Sequence, residues 1–93
     1  MNILYHGSKN AEALLKSEDF GVGFHMSPSR EVAANYGRLI EIEFDGPLAA
    51  HVGRINKEGN YNSAVGEGVE VVIKNQEQLN SFWSVYGESR LAA

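Results

Sequence analysis

Three polar side chains, His6, His25 and Glu70, stand in runs of residues otherwise suited to burial, and Tyr36 follows His25 by eleven positions. Each residue type carries chemistry. A histidine near a carboxylate can take up and release protons around neutral pH. Two histidines and a glutamate are also a metal-ligand set, although they are far apart in the chain and no H-E-x-x-H or H-x-H pair is present. All three are equally the residues that finish ordinary strands. Tyr36 can serve a core, or it can offer an aromatic face to a cation.

The stretch that must position two of these groups is residues 21–37. Gly21 and Gly23 let the backbone bend or approach a ligand closely. Phe24 and Met26 alternate with His25, so a strand here turns His25 to the face opposite both. Ser27-Pro28-Ser29-Arg30 reads as a helix start, with a serine as N-cap and Pro28 at or near the first turn. Val32, Ala33 and Tyr36 follow at helical spacing, and Gly37 ends the helix. So short a connection could bring His25 and Tyr36 to one cleft.

The totals set bounds. Ninety-three residues make one domain, residues 1–93, with a small core. With 43% apolar and 22% charged residues, the composition is that of a soluble globular chain. The formal charge is −4 and no basic run occurs, which gives non-specific nucleic-acid binding little electrostatic support. Without cysteine there is no disulfide, thiolate nucleophile or cysteine–zinc site. No apolar run approaches ~18 residues and no basic-then-apolar leader follows Met1, so a cytoplasmic protein is expected, as is a leaderless one delivered into another cell.

The remaining elements follow from pattern. Residues 2–8 read as a strand and residues 11–16 as a short helix capped by Ser8 or Asn10. Residues 38–45 alternate Ile40, Ile42 and Phe44 with Glu41, Glu43 and Asp45, which predicts a half-exposed strand with a solvated acidic face. Residues 48–52 are expected to be a short strand or turn. Residues 53–68, rich in Gly, Asn and Ser with Tyr61 near the middle, are expected to be the longest loop. Residues 69–74 are strongly strand-forming, with Glu70 and Val72 on one face. Residues 75–77 read as a turn, residues 78–86 as a final strand with a helix as the alternative, and residue 87 onward as a loose tail. Strands outnumber two short helices, which predicts an α+β domain with a split or curved sheet.

Three of these segments resemble, in order, the ADP-ribosyltransferase superfamily, in the branch shared with the diphtheria toxin and poly(ADP-ribose) polymerase catalytic domains. Tyr5-His6-Gly7-Ser8 is similar to that family's first-strand His-Gly-Ser/Thr. Gly21-x-Gly23-Phe24-His25-Met26-Ser27, running to Ala34-Asn35-Tyr36, resembles its glycine-x-glycine-aromatic strand and the helix ending in tyrosine. Glu70-Val71-Val72-Ile73 with Gln78-Leu79 resembles its glutamate strand and following glutamine. With their intervening elements these segments span most of the chain.

The resemblance implies NAD as co-substrate, bound between two sheet halves. Gly7 would hold the nicotinamide carboxamide through its backbone N–H and C=O, beside Ser8. His6 would hydrogen-bond the adenosine ribose. Tyr36 would stack on the nicotinamide with His25 on its other face, and the cationic pyridinium would gain from that ring. Glu70 would hold the nicotinamide-ribose 2′-OH and stabilise an oxocarbenium-like centre as the glycosidic bond breaks. His6, His25 and Glu70 are thus the implied catalytic set, with no metal.

The departures from the family pattern bear on substrate. His25 stands where polymerases carry tyrosine, as in a tRNA 2′-phosphotransferase branch. Ala33 stands where the family often has a serine contacting the carboxamide. Gly68 stands two residues before Glu70, where arginine-modifying toxins carry Glu or Gln, with Glu67 nearby. The loop that covers NAD in polymerases is largely missing. The expectation is transfer of ADP-ribose to a protein acceptor facing residues 53–68, in a small phage or bacterial effector. The alternatives are a catalytically degenerate binding or inhibitory module of the same fold, and an RNA 2′-phosphotransferase-like enzyme. No membrane association is expected.

Overall fold

Ile40, Ile42 and Phe44 are fully buried while Glu41 and Glu43 keep part of their surface, so the two-residue alternation builds the central strand as expected. Around it the computed structural model describes residues 2–55, 61–62 and 68–93. In chain order the elements are β1 (Asn2–Ser8), α1 (Ala11–Ser17), β2 (His25–Met26), α2 (Arg30–Ala34), β3 (Arg38–Phe44), β4 (His51–Ile55), β5 (Tyr61–Asn62), β6 (Gly68–Val72), α3 (Gln76–Val85) and β7 (Tyr86–Leu91). They form two small antiparallel sheets, in strand order β1-β3-β7 and β2-β6-β4-β5. The fold is therefore α+β with a split sheet. Among the described residues no helix is long and apolar enough to cross a membrane.

The sheets pack their apolar faces together over Met26, Ile40, Ile42, Phe44, Val71, Ile73 and Phe82. The edge strands β1 and β2 are joined by one rung, in which Tyr5 and Ser27 exchange backbone hydrogen bonds at 2.7 and 2.8 Å. Gly7 closes β1 against α2. A Cβ built there would lie 1.8 Å from the Ala33 carbonyl oxygen, so only glycine lets helix and strand approach this closely. Gly37 makes the matching contact at φ +137°, where a Cβ would lie 2.6 Å from the Ser8 carbonyl carbon.

Four expectations are corrected. Residues 78–85 take the alternative reading, a helix, and only Tyr86 of the expected strand is extended. Asn75 caps α3 by accepting the Gln78 N–H at 2.9 Å, and the Gln78 side chain accepts the N–H of Lys74, the residue before the cap, at 2.8 Å, which together start a helix. Phe82 then anchors it, fully buried against Phe44. A third helix is thus added to the expected two.

Residues 87–91 are not part of a loose tail but continue β7 from Tyr86, paired along β3. The acidic face of β3 is not merely solvated. Arg90, opposite Glu41 in register, reaches Glu41 at 2.6 Å and Glu43 at 2.5 Å. The span 53–68 is not one loop, since β4 continues to Ile55, β5 occupies Tyr61–Asn62 and β6 begins at Gly68. Residues 56–60 and 63–67, including Glu67, lie outside the described residues, and so does any acceptor-facing role for them.

The cap of α2 is Ser29, whose Oγ accepts the Val32 N–H at 3.3 Å, so Pro28 precedes the helix rather than entering it. The helix ends at Ala34, and Tyr36 lies just beyond it, 37% exposed. Asn10 occupies the cap position of α1 without a side-chain cap bond, while Ser8 Oγ accepts the Asn10 N–H at 3.0 Å.

Candidate functional site

The place where β1 and β2 part is the start of the site. Antiparallel pairing of Tyr5 with Ser27 makes Gly7 and His25 the next bonding rung. That rung is not formed. His6 Nδ1–H instead donates to the His25 carbonyl at 2.5 Å, and the imidazole stacks on Phe24 with ring centroids 4.2 Å apart.

The opposite edge of β1 accounts for the rest. Leu39 spends its carbonyl on Ala92 N–H at 3.1 Å on the β7 side, so the Gly7–Leu39 pair is the non-bonding kind. The Gly7 N–H and C=O therefore face β2, and among the described residues neither has a backbone partner there. Gly7 itself is buried, and a donor and an acceptor side by side on one strand edge form the pattern that pairs with a carboxamide.

His6 has a defined tautomer. A carbonyl oxygen only accepts, so Nδ1 carries the proton and Nε2 presents a lone pair. Burial holds the His6 pKa below the ordinary histidine value, the bond to the His25 carbonyl opposes that, and the nearby His25 adds to it.

Glu70 is 2% exposed on β6. It pairs with Gly53 on one side, and Met26 and His25 pair with Val71 and Val72 on the other. Val72 and Glu70 share a face, so His25, opposite Val72, is the diagonal neighbour of Glu70. Burial pushes the Glu70 carboxyl above the usual carboxylate range, and the His25 charge pulls the other way. No described group hydrogen-bonds the carboxylate. Tyr36 lies within its field: burial first, and then Glu70, raise the tyrosine's pKa.

The structure brings His25, Glu70 and Tyr36 together: His25 neighbours Glu70, and Glu70 acts on Tyr36. His6 joins them only through the His25 backbone carbonyl, its ring lying on Phe24, which alternation sets on the face opposite His25. Ser8 stays at the end of β1, where its Oγ turns the chain into α1. Ala33 is buried at 3% exposure under Gly7, so it supports the strand from beneath. Among the described residues no group of three His, Asp or Glu side chains is placed to hold a metal ion.

Two surface grooves lie apart from this cluster. One of about 490 Å³ runs beside α1 and is lined by Lys9, Glu12, Lys16 and Arg38. The other, about 330 Å³, lies between Ile3, Leu4, Pro28, Phe44, Leu48 and Val71.

Two contributors escaped the sequence reading. Phe24 is the ring on which His6 rests, although alternation set it only on the face opposite His25. Ser27 is buried at 2% exposure and joins three elements. Its signal was the proline that follows it.

No family model, curated protein or solved structure matches this chain.

Proposed function

We propose that the protein is a mono-ADP-ribosyltransferase that takes ADP-ribose from NAD and places it on a protein acceptor. The observation that carries this reading is the unformed Gly7–His25 rung beside a buried Glu70 with no described hydrogen-bond partner. A buried carboxylate is costly without hydrogen-bond partners, and a bound ribose hydroxyl is one source of them. The residue types fit NAD. Gly7 offers a donor and an acceptor to the carboxamide, and Tyr36 offers a part-exposed ring to a cationic nicotinamide. Neutral His6 offers Nε2 to a ribose hydroxyl. Glu70 accepts from the 2′-OH of the other ribose.

Bound NAD supplies an activated C1′–N glycosidic bond. As that bond breaks, nicotinamide leaves with the electron pair and C1′ becomes cationic. The Glu70 carboxylate, held near C1′ in a dry setting, stabilises this charge. The acceptor then forms the new bond to C1′ and gives its proton to solvent. His25 moderates the charge of Glu70 and flanks the ring.

The test is labelled NAD with cell lysate, beside calorimetry of NAD alone. A labelled protein band that vanishes in Glu70→Gln supports transfer. NAD binding without label supports the degenerate binding module, a reading favoured by Ala33, which offers no hydroxyl to the carboxamide. Absence of NAD binding overturns both readings. NAD binding with no labelled protein, together with NAD-dependent loss of the phosphate from a 2′-phosphorylated RNA, would place the chain with RNA 2′-phosphotransfer instead.

A further inference from the structure

Ser27 is buried, and the reading above gives it no contact with substrate. Four connections meet at it. Its N–H and C=O pair with Tyr5 at 2.8 and 2.7 Å, which ties β2 to β1. Its hydroxyl accepts the Ser29 N–H at 3.0 Å at the start of α2 and donates to the Val69 carbonyl on β6 at 2.6 Å.

The register explains the last bond. His25 pairs with Val72 and Met26 with Val71, and Ile73 exchanges bonds with the segment before them. Continuing that register sets Val69 opposite Pro28. Proline has no N–H to give, so the Val69 carbonyl would lose its ladder donor inside the molecule. The Ser27 hydroxyl supplies the missing donor at the residue that immediately precedes Glu70.

We infer that Ser27 is a positioning residue, which holds the Glu70 carboxylate at a fixed place relative to Gly7 by standing in for the amide that Pro28 lacks. The inference rests on the reading of the site as one for ADP-ribosyl transfer. Loss of the hydroxyl frees β6 next to Glu70, yet leaves the Tyr5–Ser27 rung, which is backbone only. Glu70 then shifts while Gly7 and Tyr36 keep their hold on the nicotinamide end.

The experiment compares the wild type with Ser27→Ala, Pro28→Ala and the double variant. Ser27→Ala is expected to lower kcat of NAD turnover by about 10²-fold, the cost of a small misplacement of a reacting group. The NAD dissociation constant by calorimetry is expected to stay close to wild type. Pro28→Ala returns an N–H to the chain, so the double variant is expected to recover most of the lost kcat. A merely structural role would lower binding and kcat together.

A second readout needs no turnover. The Glu70 carboxyl titration, followed by carbon-13 NMR with His25 and Tyr36 as the neighbouring ionisable groups, should move in Ser27→Ala and return in the double variant. An unchanged Glu70 titration in Ser27→Ala, or an unchanged kcat in an active protein, overturns the positioning role. A wild type that does not bind NAD overturns the transferase reading instead and leaves the titration to decide this one. If Ser27→Ala does not fold, the double variant must fold and match Pro28→Ala, and its failure to do so also overturns the role.

Discussion

His6 Nδ1 takes the His25 carbonyl at 2.5 Å, the acceptor that Gly7 would use in the next rung between β1 and β2. A side chain has replaced a ladder bond, and the buried Gly7 beside it is left without that bond. The pair of sheets is therefore zipped at Tyr5–Ser27 and unzipped two residues later.

That exchange fixes how His6 titrates. Burial lowers its pKa below the ordinary 6.5, so the folded state binds its proton less readily than the unfolded chain. Its contribution to stability is complete above the ordinary histidine value and is lost as pH falls through the folded one. Nitrogen-15 NMR should find a neutral ring at pH 7 with the proton on Nδ1. A doubly protonated ring at that pH would refute the assignment.

Glu70 carries the opposite sign. Burial raises its pKa, so the folded state holds the proton more firmly than the unfolded chain. Its stabilising contribution is full below the ordinary carboxylate range and is lost as pH rises through the raised value. Glu70→Gln should abolish transfer and flatten this slope. Denaturant titrations at several pH values should show the variant gaining on wild type as pH rises.

Gly7→Ala tests the contact beneath that residue. The new methyl would fall 1.8 Å from the Ala33 carbonyl oxygen, which is backbone and cannot swing aside. A loss of about 2–4 kcal/mol is expected in urea denaturation, at the upper end for overpacked sites. A wild-type midpoint would mean that α2 does not lie against β1 as described.

Asn75→Ala tests the helix that replaced an expected strand. The side chain accepts the Gln78 N–H at 2.9 Å, and removing it should cost about 1 kcal/mol. Asn75→Asp should keep most of that stability. Equal stability of the alanine variant would remove the cap.

Arg90→Ala tests whether the last strand is held by charge as well as by ladder bonds. It leaves Glu41 and Glu43 facing each other on β3 without their shared partner. The melting temperature should fall at low salt, and the difference from wild type should narrow at 1 M salt, where the Debye length is about 3 Å. A salt-independent difference would assign the effect to packing of the Arg90 stem.

Much of the fold could be read from short-range pattern. The alternation in Arg38–Phe44 defines a strand because it separates an apolar from a polar face, whatever packs on it. Ser29 marks the start of α2, and Gly37, at positive φ, marks the turn into β3, because local backbone demands choose them. The C-terminal segment was ambiguous for a physical reason. Leu79, Phe82, Trp83, Val85 and Tyr86 form an apolar run too short to separate periods of two and 3.6 residues. The Asn75–Gln78 pairing, a local signal, was the feature that distinguished them.

For the candidate site, residue type singled out His6, His25 and Glu70, because polar groups on buried strands are uncommon and demand partners, and spacing added Tyr36, whereas Gly7 entered only through the family resemblance. Only the tertiary structure decided which of them meet. Adjacency of His25 and Glu70 depends on strand register across 45 positions of chain, and the missing Gly7 rung depends on where two sheets part. Neither is encoded near the residues concerned, since hydrogen-bond pairing between strands is settled by the packing of both sheets on one core.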